Sequence, residues 1–144
     1  MASNQTNSKE EVQKREINVF FANADWTDLI ERQIEISYKT DNEKIEQALD
    51  ALQKDENSVE TSLWKQAQFN KVTVQDEVIM LDIHLPNSAR LGSTGEDMAL
   101  QAIQKTVFQF DEIKSLDILV DGNVVDSLMG HVELDHPIMK NKNG

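Results

Sequence analysis

The chain has no cysteine, which excludes a disulfide framework, a thiolate zinc site and a cysteine nucleophile. It has no apolar run approaching the roughly 20 residues that span a bilayer, and no signal-peptide h-region. That leaves either a cytosolic location or a targeting segment ahead of these residues. Basic residues are scarce, 14 against 26 acidic ones, for a net charge of -12. A nucleic-acid binder needs a basic stripe to displace counterions from phosphates, so that class is excluded. Docking on an anionic lipid surface by charge alone falls for the same reason. Aromatics make up 6% of the chain, and only Trp26 and Trp64 offer flat platforms for stacking on a sugar.

What is present fits one globular domain. A length of 144 residues, 39% of them apolar, has room for a single hydrophobic core. The first sixteen residues carry no net charge, residues 17–139 carry -14 and the last five carry +2. The polar opening, with almost nothing to bury, reads as a disordered leader or tether over 1–16. A domain over 17–139 and a flexible tail over 140–144 follow. The acidity keeps the domain soluble by self-repulsion and suits a basic partner or a basic envelope polymer.

Periodicity sketches the domain. Ile17, Val19 and Phe21 alternate with Asn18 and Phe20 as in a strand covered on one face, and Ile34, Ile36 and Tyr38 make a second. Thr40 and Glu43 have the spacing of a capping box ahead of a helix over about 41–54, with Ile45, Ala48, Leu49 and Leu52 on one face. Val72, Val74, Ile79, Leu81, Ile83 and Leu85 predict a hairpin turning at Gln75–Glu77. Ser93 and Glu96 predict a second capping box, with Ala99, Ala102, Ile103, Thr106, Val107 and Phe110 as the buried stripe of the next helix. Leu116, Ile118 and Val120 make a strand, Asp121-Gly122-Asn123 a tight turn, Val124-Val125 a return strand, and 131–134 a last extended piece.

These elements give an α+β two-layer sandwich, with a mostly antiparallel or mixed sheet and both helices on one face. The uncovered face then carries Met80, Asp82, His84, Asp117 and Leu119. A surface of that mixed polarity is the candidate interaction face.

Chemistry-bearing clusters are thin. His131, Glu133 and Asp135 would share a strand face beside His136, but zinc ligands usually come from separate elements with supporting partners. His84 beside Asp82 has the makings of a base and its orienter, but an open strand face orients neither. Ser93 between Gly92 and Gly95 reads as a cap before it reads as a nucleophile. Gly92-Ser93-Thr94-Gly95 lacks the lysine and spacing of a phosphate loop. Neighbouring acidic pairs such as Asp76 and Glu77 do not face each other across a cleft, as glycoside hydrolysis demands. The residues call for no catalytic group, no cofactor and no metal.

Gly92, Ser93, Gly95, Glu96, Thr106, Phe110, Asp121, Gly122, Gly130 and His131 fall in an order and spacing that resembles the GerMN domain of sporulation and spore-germination proteins. Phe20-Phe21, an acidic turn and a strand are similar to the opening of that domain. The resemblance covers roughly residues 17–138. It implies a fold similar to ring-building-motif domains, no catalytic residues, and an accessory module of the cell envelope. It also implies an exported chain, lipid-anchored through a cysteine ahead of a polar tether, in a Gram-positive bacterium. Expected partners are envelope or sporulation proteins, or further copies of the chain, with a cell-wall polymer also open. The alternative it leaves is a peptidoglycan-associated binding module that assists a wall hydrolase.

Overall fold

The computed structural model describes residues 11–56 and 59–140. The first ten residues of the expected leader and residues 141–144 of the expected tail lie outside the described residues. The chain forms β1 (Gln13–Asn23), β2 (Leu29–Tyr38), α1 (Asp41–Leu52), β3 (Glu60–Thr61), β4 (Gln68–Gln75), β5 (Val78–His84), a 3-10 turn (Asn87–Ala89), α2 (Ser93–Val107), β6 (Ser115–Val120) and β7 (Ile138–Met139). The strands make two sheets, ordered β2-β1-β3 and β4-β5-β6-β7. All pairings are antiparallel except β5 with β6, which run parallel. Parallel neighbours need a long crossover, and α2 supplies it. The helices pack on each other and against β1, closing a two-layer α+β sandwich.

Strand β1 begins ahead of the apolar alternation, because Gln13 to Glu16 pair with Tyr38 to Glu35. Ile17, Val19 and Phe21 point inward and are almost wholly buried. Each such side chain contributes about 1.5–3 kcal/mol on leaving water. Opposite them on β2, Ile34 faces Ile17 and Ile30 faces Phe21. Helix α1 starts as its capping spacing predicts. The Thr40 hydroxyl accepts from Glu43 N at 3.1 Å, while Glu43 Oε1 reaches back to accept from Lys39 N at 2.7 Å. Its buried face holds Ile45, Ala48, Leu49 and Leu52, together with Lys44. The Lys44 ammonium lies over the rings of Tyr38 and Phe110 and pairs with Glu112. Charge and ring quadrupole together stabilise a cation that burial alone would reject.

In the stretch 55–67, which periodicity leaves unassigned, the described residues 55–56 and 59–67 are held by polar contacts. Glu60 on β3 is buried and takes both oxygens to Arg32 Nε at 3.0 Å. Ser62 Oγ donates to Leu52 O at 2.6 Å, closing the end of α1. Trp64 is 1% exposed and its indole N–H donates to Ala99 O at 2.9 Å, which ties this loop to α2.

The β4–β5 hairpin turns on Asp76 and Glu77, both left-handed at φ 56° and 71°. Two positive φ values make the turn whose twist matches the flanking strands. The Glu77 carbonyl then accepts from Lys114 N at 2.8 Å, setting β6 beside β5. Asp121 and Gly122 repeat that conformation at φ 51° and 79°, as the tight-turn chemistry predicts. The return strand expected at Val124-Val125 does not form. Only a bridge between Val120 and Asn123 closes the turn, and 124–137 contains no strand. The extended piece expected at 131–134 is likewise absent, and the last pairing comes at Ile138–Met139 against β6. Side-chain anchors replace the ladder here, so alternation gives no signal. Lys140 is tied down as well, through its backbone N–H to Lys114 O at 3.0 Å and its ammonium to Phe110 O at 2.9 Å.

Candidate interaction surface

In the second sheet, the residues facing the core are Val72, Leu81 and Ile118 in one row and Val74, Ile79, Leu116 and Ile138 in the next. Alternation puts their neighbours on the other face. There, Thr73, Met80 and Asp117 form a row, and Lys71, Asp82 and Leu119 form the next. Met80 is 37% exposed, and Met139 beside Ser115 is 51% exposed. Leu119 is half-buried and lies outside the core cluster. The five residues singled out from the sequence therefore share one sheet face, and Met139 extends it.

The polar members of this face work locally. Asp82 Oδ1 accepts from Gly122 N at 2.7 Å, and His84 Nδ1 meets Asp121 Oδ1 at 2.9 Å. His84 and Asp82 therefore do not pair with each other. Each grips one residue of the 121–122 turn, because that turn stands above the end of β5. His136, which the sequence places beside a metal-like cluster, belongs to this face instead. Its Nδ1 lies 2.7 Å from Asp117 Oδ1 and its Nε2 lies 2.7 Å from Val125 O. Two acceptors on two ring nitrogens favour the imidazolium. The Val125 carbonyl and then the Asp117 carboxylate raise the His136 pKa above its ordinary value, against burial. The peptide between His136 and Pro137 is cis.

His131, Glu133 and Asp135 do not align on a strand, since none forms there. Among the described residues no group of three or more His, Asp or Glu side chains is placed to hold a metal ion.

Ser93 is not the cap that its spacing predicts. Helix α2 is capped by Gly92, whose carbonyl accepts from Glu96 N at 2.8 Å, and Ser93 is the first helical residue, exposed. Glu96 does not reach back to the helix start. It is fully buried, its Oε2 accepting from Met129 N at 3.1 Å and its Oε1 from His131 N at 3.0 Å. Two backbone donors in a dry site outcompete one at an exposed helix start, so the carboxylate turns inward. Gly95 leaves room beside it, for a Cβ there would stand 2.9 Å from Leu91 Cβ and 3.1 Å from Trp26 Cζ3. Gly130, at φ 97°, makes the bend that presents His131 N. Thr106 is buried with its hydroxyl on Ala102 O at 2.8 Å, and Phe110 lies fully buried under Arg15 and Lys44. The spaced motif is thus a set of structural contacts, and its centre is Glu96 fastening 129–131 to α2.

A family model described as Germane, sporulation and spore germination, matches residues 18–126. The chain belongs to this family. No curated protein sequence matches the chain. Among solved structures, the first GerMN domain of the sporulation protein GerM from Bacillus subtilis superposes with a TM-score of 0.67 at 13% identity, covering 89% of this chain and 99% of that one. A Clostridium perfringens chain described as a lipoprotein gives 0.60 at 21% identity, with 92% and 90% covered. The tandem GerMN domains of the Bacillus subtilis protein give 0.60 at 14% identity, with 88% of this chain aligned to 46% of the tandem. At these identities the structures show the fold, and the family match carries the link to sporulation. In this Germane domain Gly95, Glu96, Thr106 and Phe110 of the motif are buried, Gly92, Ser93, Asp121, Gly122, Gly130 and His131 are exposed, and the outer sheet face is covered in part by His136.

A groove of about 580 Å³ runs between α2 and residues 132–140, lined by Leu100, Phe108, Val132, Leu134 and Ile138 with Lys105 and Glu133 at its rim. The sequence gives no hint of it, since its second wall is the irregular C-terminal segment.

Proposed function

We propose that this Germane domain is a non-catalytic assembly module of the bacterial cell envelope. It holds a partner protein, or another copy of itself, on the sheet face of Met80, Asp82, His84, Asp117 and Leu119. The observation that carries the reading is the pair Met80 and Leu119, apolar side chains on the sheet face away from the core, Met80 exposed and Leu119 half-buried outside the core cluster. Flat mixed surfaces of this kind suit a transient protein contact. Family membership supports a role in sporulation or germination, and the likeness to a chain described as a lipoprotein supports an extracytoplasmic, lipid-anchored location. The peptidoglycan alternative loses one of its two aromatic platforms, because Trp64 is buried.

The test is the double variant Met80→Lys, Leu119→Lys. Folding should survive, since neither side chain lies in the core, and crosslinking to envelope partners should fall at least tenfold. A folded double variant that captures the same partners with the same yield would refute the assignment of this face.

A further inference from the structure

Parts of β1, β4 and β2 have a strand edge with no neighbouring strand, and these edges are not treated alike. On β1, the side-chain amide of Gln109 takes the place of a neighbouring strand. Its Oε1 accepts from Asn18 N at 3.0 Å and its Nε2 donates to Asn18 O at 2.7 Å. β3 pairs with the same edge at Ala22 and Asn23. On β4, Asn42 does the same, accepting from Val74 N at 3.0 Å and donating to Val72 O at 3.3 Å. Each amide satisfies one N–H and one C=O, as a strand would, and so blocks strand addition there.

The outer edge of β2 carries no such plug. Asn18 turns its backbone away from β2, so the pair Asn18 and Gln33 is a non-hydrogen-bonded one, and Gln33 turns its own backbone outward. By the same alternation Glu31, Glu35 and Ser37 direct their N–H and C=O groups outward. Among the described residues no strand pairs with this edge, and no side chain is bonded to it. The strand is ten residues long, its register to β1 is unbroken, and it contains no proline.

Charge says what would fit. Glu31 and Glu35 are exposed on the outer face about 13 Å apart, and Glu16 stands directly across from Glu35. A second copy pairing β2 with β2 about Gln33 would set Glu31 against Glu35 twice, which is unfavourable. A strand with Lys or Arg opposite those two carboxylates gains ion pairs in the same places. On the other face it would meet Ile34 beside Arg32, whose guanidinium is held by Glu60, so an apolar side chain opposite Ile34 belongs between the basic ones.

The geometry points to the β2 edge as a strand-addition site for an extended partner segment with basic and apolar side chains alternating, its two basic residues spaced to face Glu31 and Glu35. This mode draws affinity from main-chain bonds and selectivity from the alternating side chains. It does not depend on the Met80 face, so either can fail alone.

The probe is a labelled, end-capped heptapeptide with two lysines four positions apart and valines between, compared with a twin bearing glutamates in place of the lysines. The lysine peptide should bind at least tenfold more tightly. It should slow amide exchange at Glu31, Gln33 and Glu35 and leave Asn18 and Val74 unchanged. Gln33→Pro removes an outward N–H without removing a bond to β1, and should weaken binding at least tenfold. Should that variant unfold, peptides methylated on alternate amides replace it, and one of the two alternate sets should abolish binding. Glu31→Lys with Glu35→Lys should reverse the preference between the two peptides. No binding at millimolar peptide, equal binding by the folded proline variant, or protection at other amides would overturn the proposal. Protection of the β2 amides by protein concentration alone, without peptide, would overturn it in favour of self-pairing.

Discussion

Replacing Glu96 separates a helix-capping role from the role seen in the fold. The carboxylate is fully buried and accepts from the backbone N–H groups of Met129 and His131. Hydrogen bonds to a charged group contribute about 1.5–3 kcal/mol each. Glu96→Gln keeps the shape but turns one acceptor into a donor facing an N–H. It should cost about 2–3 kcal/mol, or one such bond with its partner left unsatisfied. Glu96→Ala removes both bonds and opens a gap beside α2, and should cost about 4–5 kcal/mol. Domain stabilities run from about 5 to 15 kcal/mol, so the alanine variant comes near the limit of folding. Urea unfolding measures the loss. With a slope of about 2 kcal/mol per molar, Glu96→Gln should lower the midpoint by about 1 M. Amide exchange locates it, and Met129 and His131 should lose protection first. A glutamine variant within about 0.5 kcal/mol of the parent, with these two amides still protected, would refute the anchoring role.

Ser93→Ala should change stability by less than about 0.5 kcal/mol in the same urea assay, because no cap bond is lost; a loss near 1 kcal/mol would restore the serine cap. Gly95→Ala sets a helix-propensity gain of about 1 kcal/mol against an overpacking cost of about 1–3 kcal/mol. The new Cβ would strike Leu91 Cβ, the root of a side chain that cannot swing aside, so the variant should melt lower, and a raised melting temperature would show the site to be roomier. His136 has its folded pKa raised, so its contribution is full below the unfolded value and is lost as pH rises through the folded value. The stability gap between the parent and His136→Gln should therefore narrow as pH rises past the ordinary histidine value of about 6.5; a constant gap would mean that the imidazolium is not the stabilising form.

The strands and helices with apolar alternation could be read from the residues. Ile17, Val19 and Phe21, the α1 stripe and the β4–β5 hairpin all lie where periodicity puts them, since burial on one face is what that pattern records. The C-terminal third could not be read in the same way. From Val124 to Pro137 the chain is held by Glu96, Asp117 and Val125 rather than by a ladder, and contacts between residues far apart leave no local period. Ser93 and Glu96 have the right spacing for a capping box and the wrong partners, because the two donors, 33 and 35 residues further along, leave no mark in the local spacing. Trp64 could not be told from an exposed platform without knowing that its indole meets Ala99 O.

Of the residues that mark the family, Gly95, Glu96, Thr106 and Phe110 are buried, and Gly92, Ser93, Asp121, Gly122, Gly130 and His131 are exposed at turns and at the start of α2. Gly95 makes room, Glu96 anchors, Thr106 and Phe110 pack, and the Asp121–Gly122 turn is gripped by His84 and Asp82. The buried four fix where the surfaces stand and have few atoms free to choose a partner. Selectivity then rests on exposed and half-buried positions, and the two surfaces proposed above are made of such positions. One is the mixed sheet face, where Met80, Leu119 and Met139 supply apolar contact. The other is the β2 edge, where Glu31 and Glu35 supply charge. Neither surface bears on the bonds that Glu96 makes, so substitutions at Met80, Leu119, Glu31 or Glu35 should leave the protection of the Met129 and His131 amides unchanged.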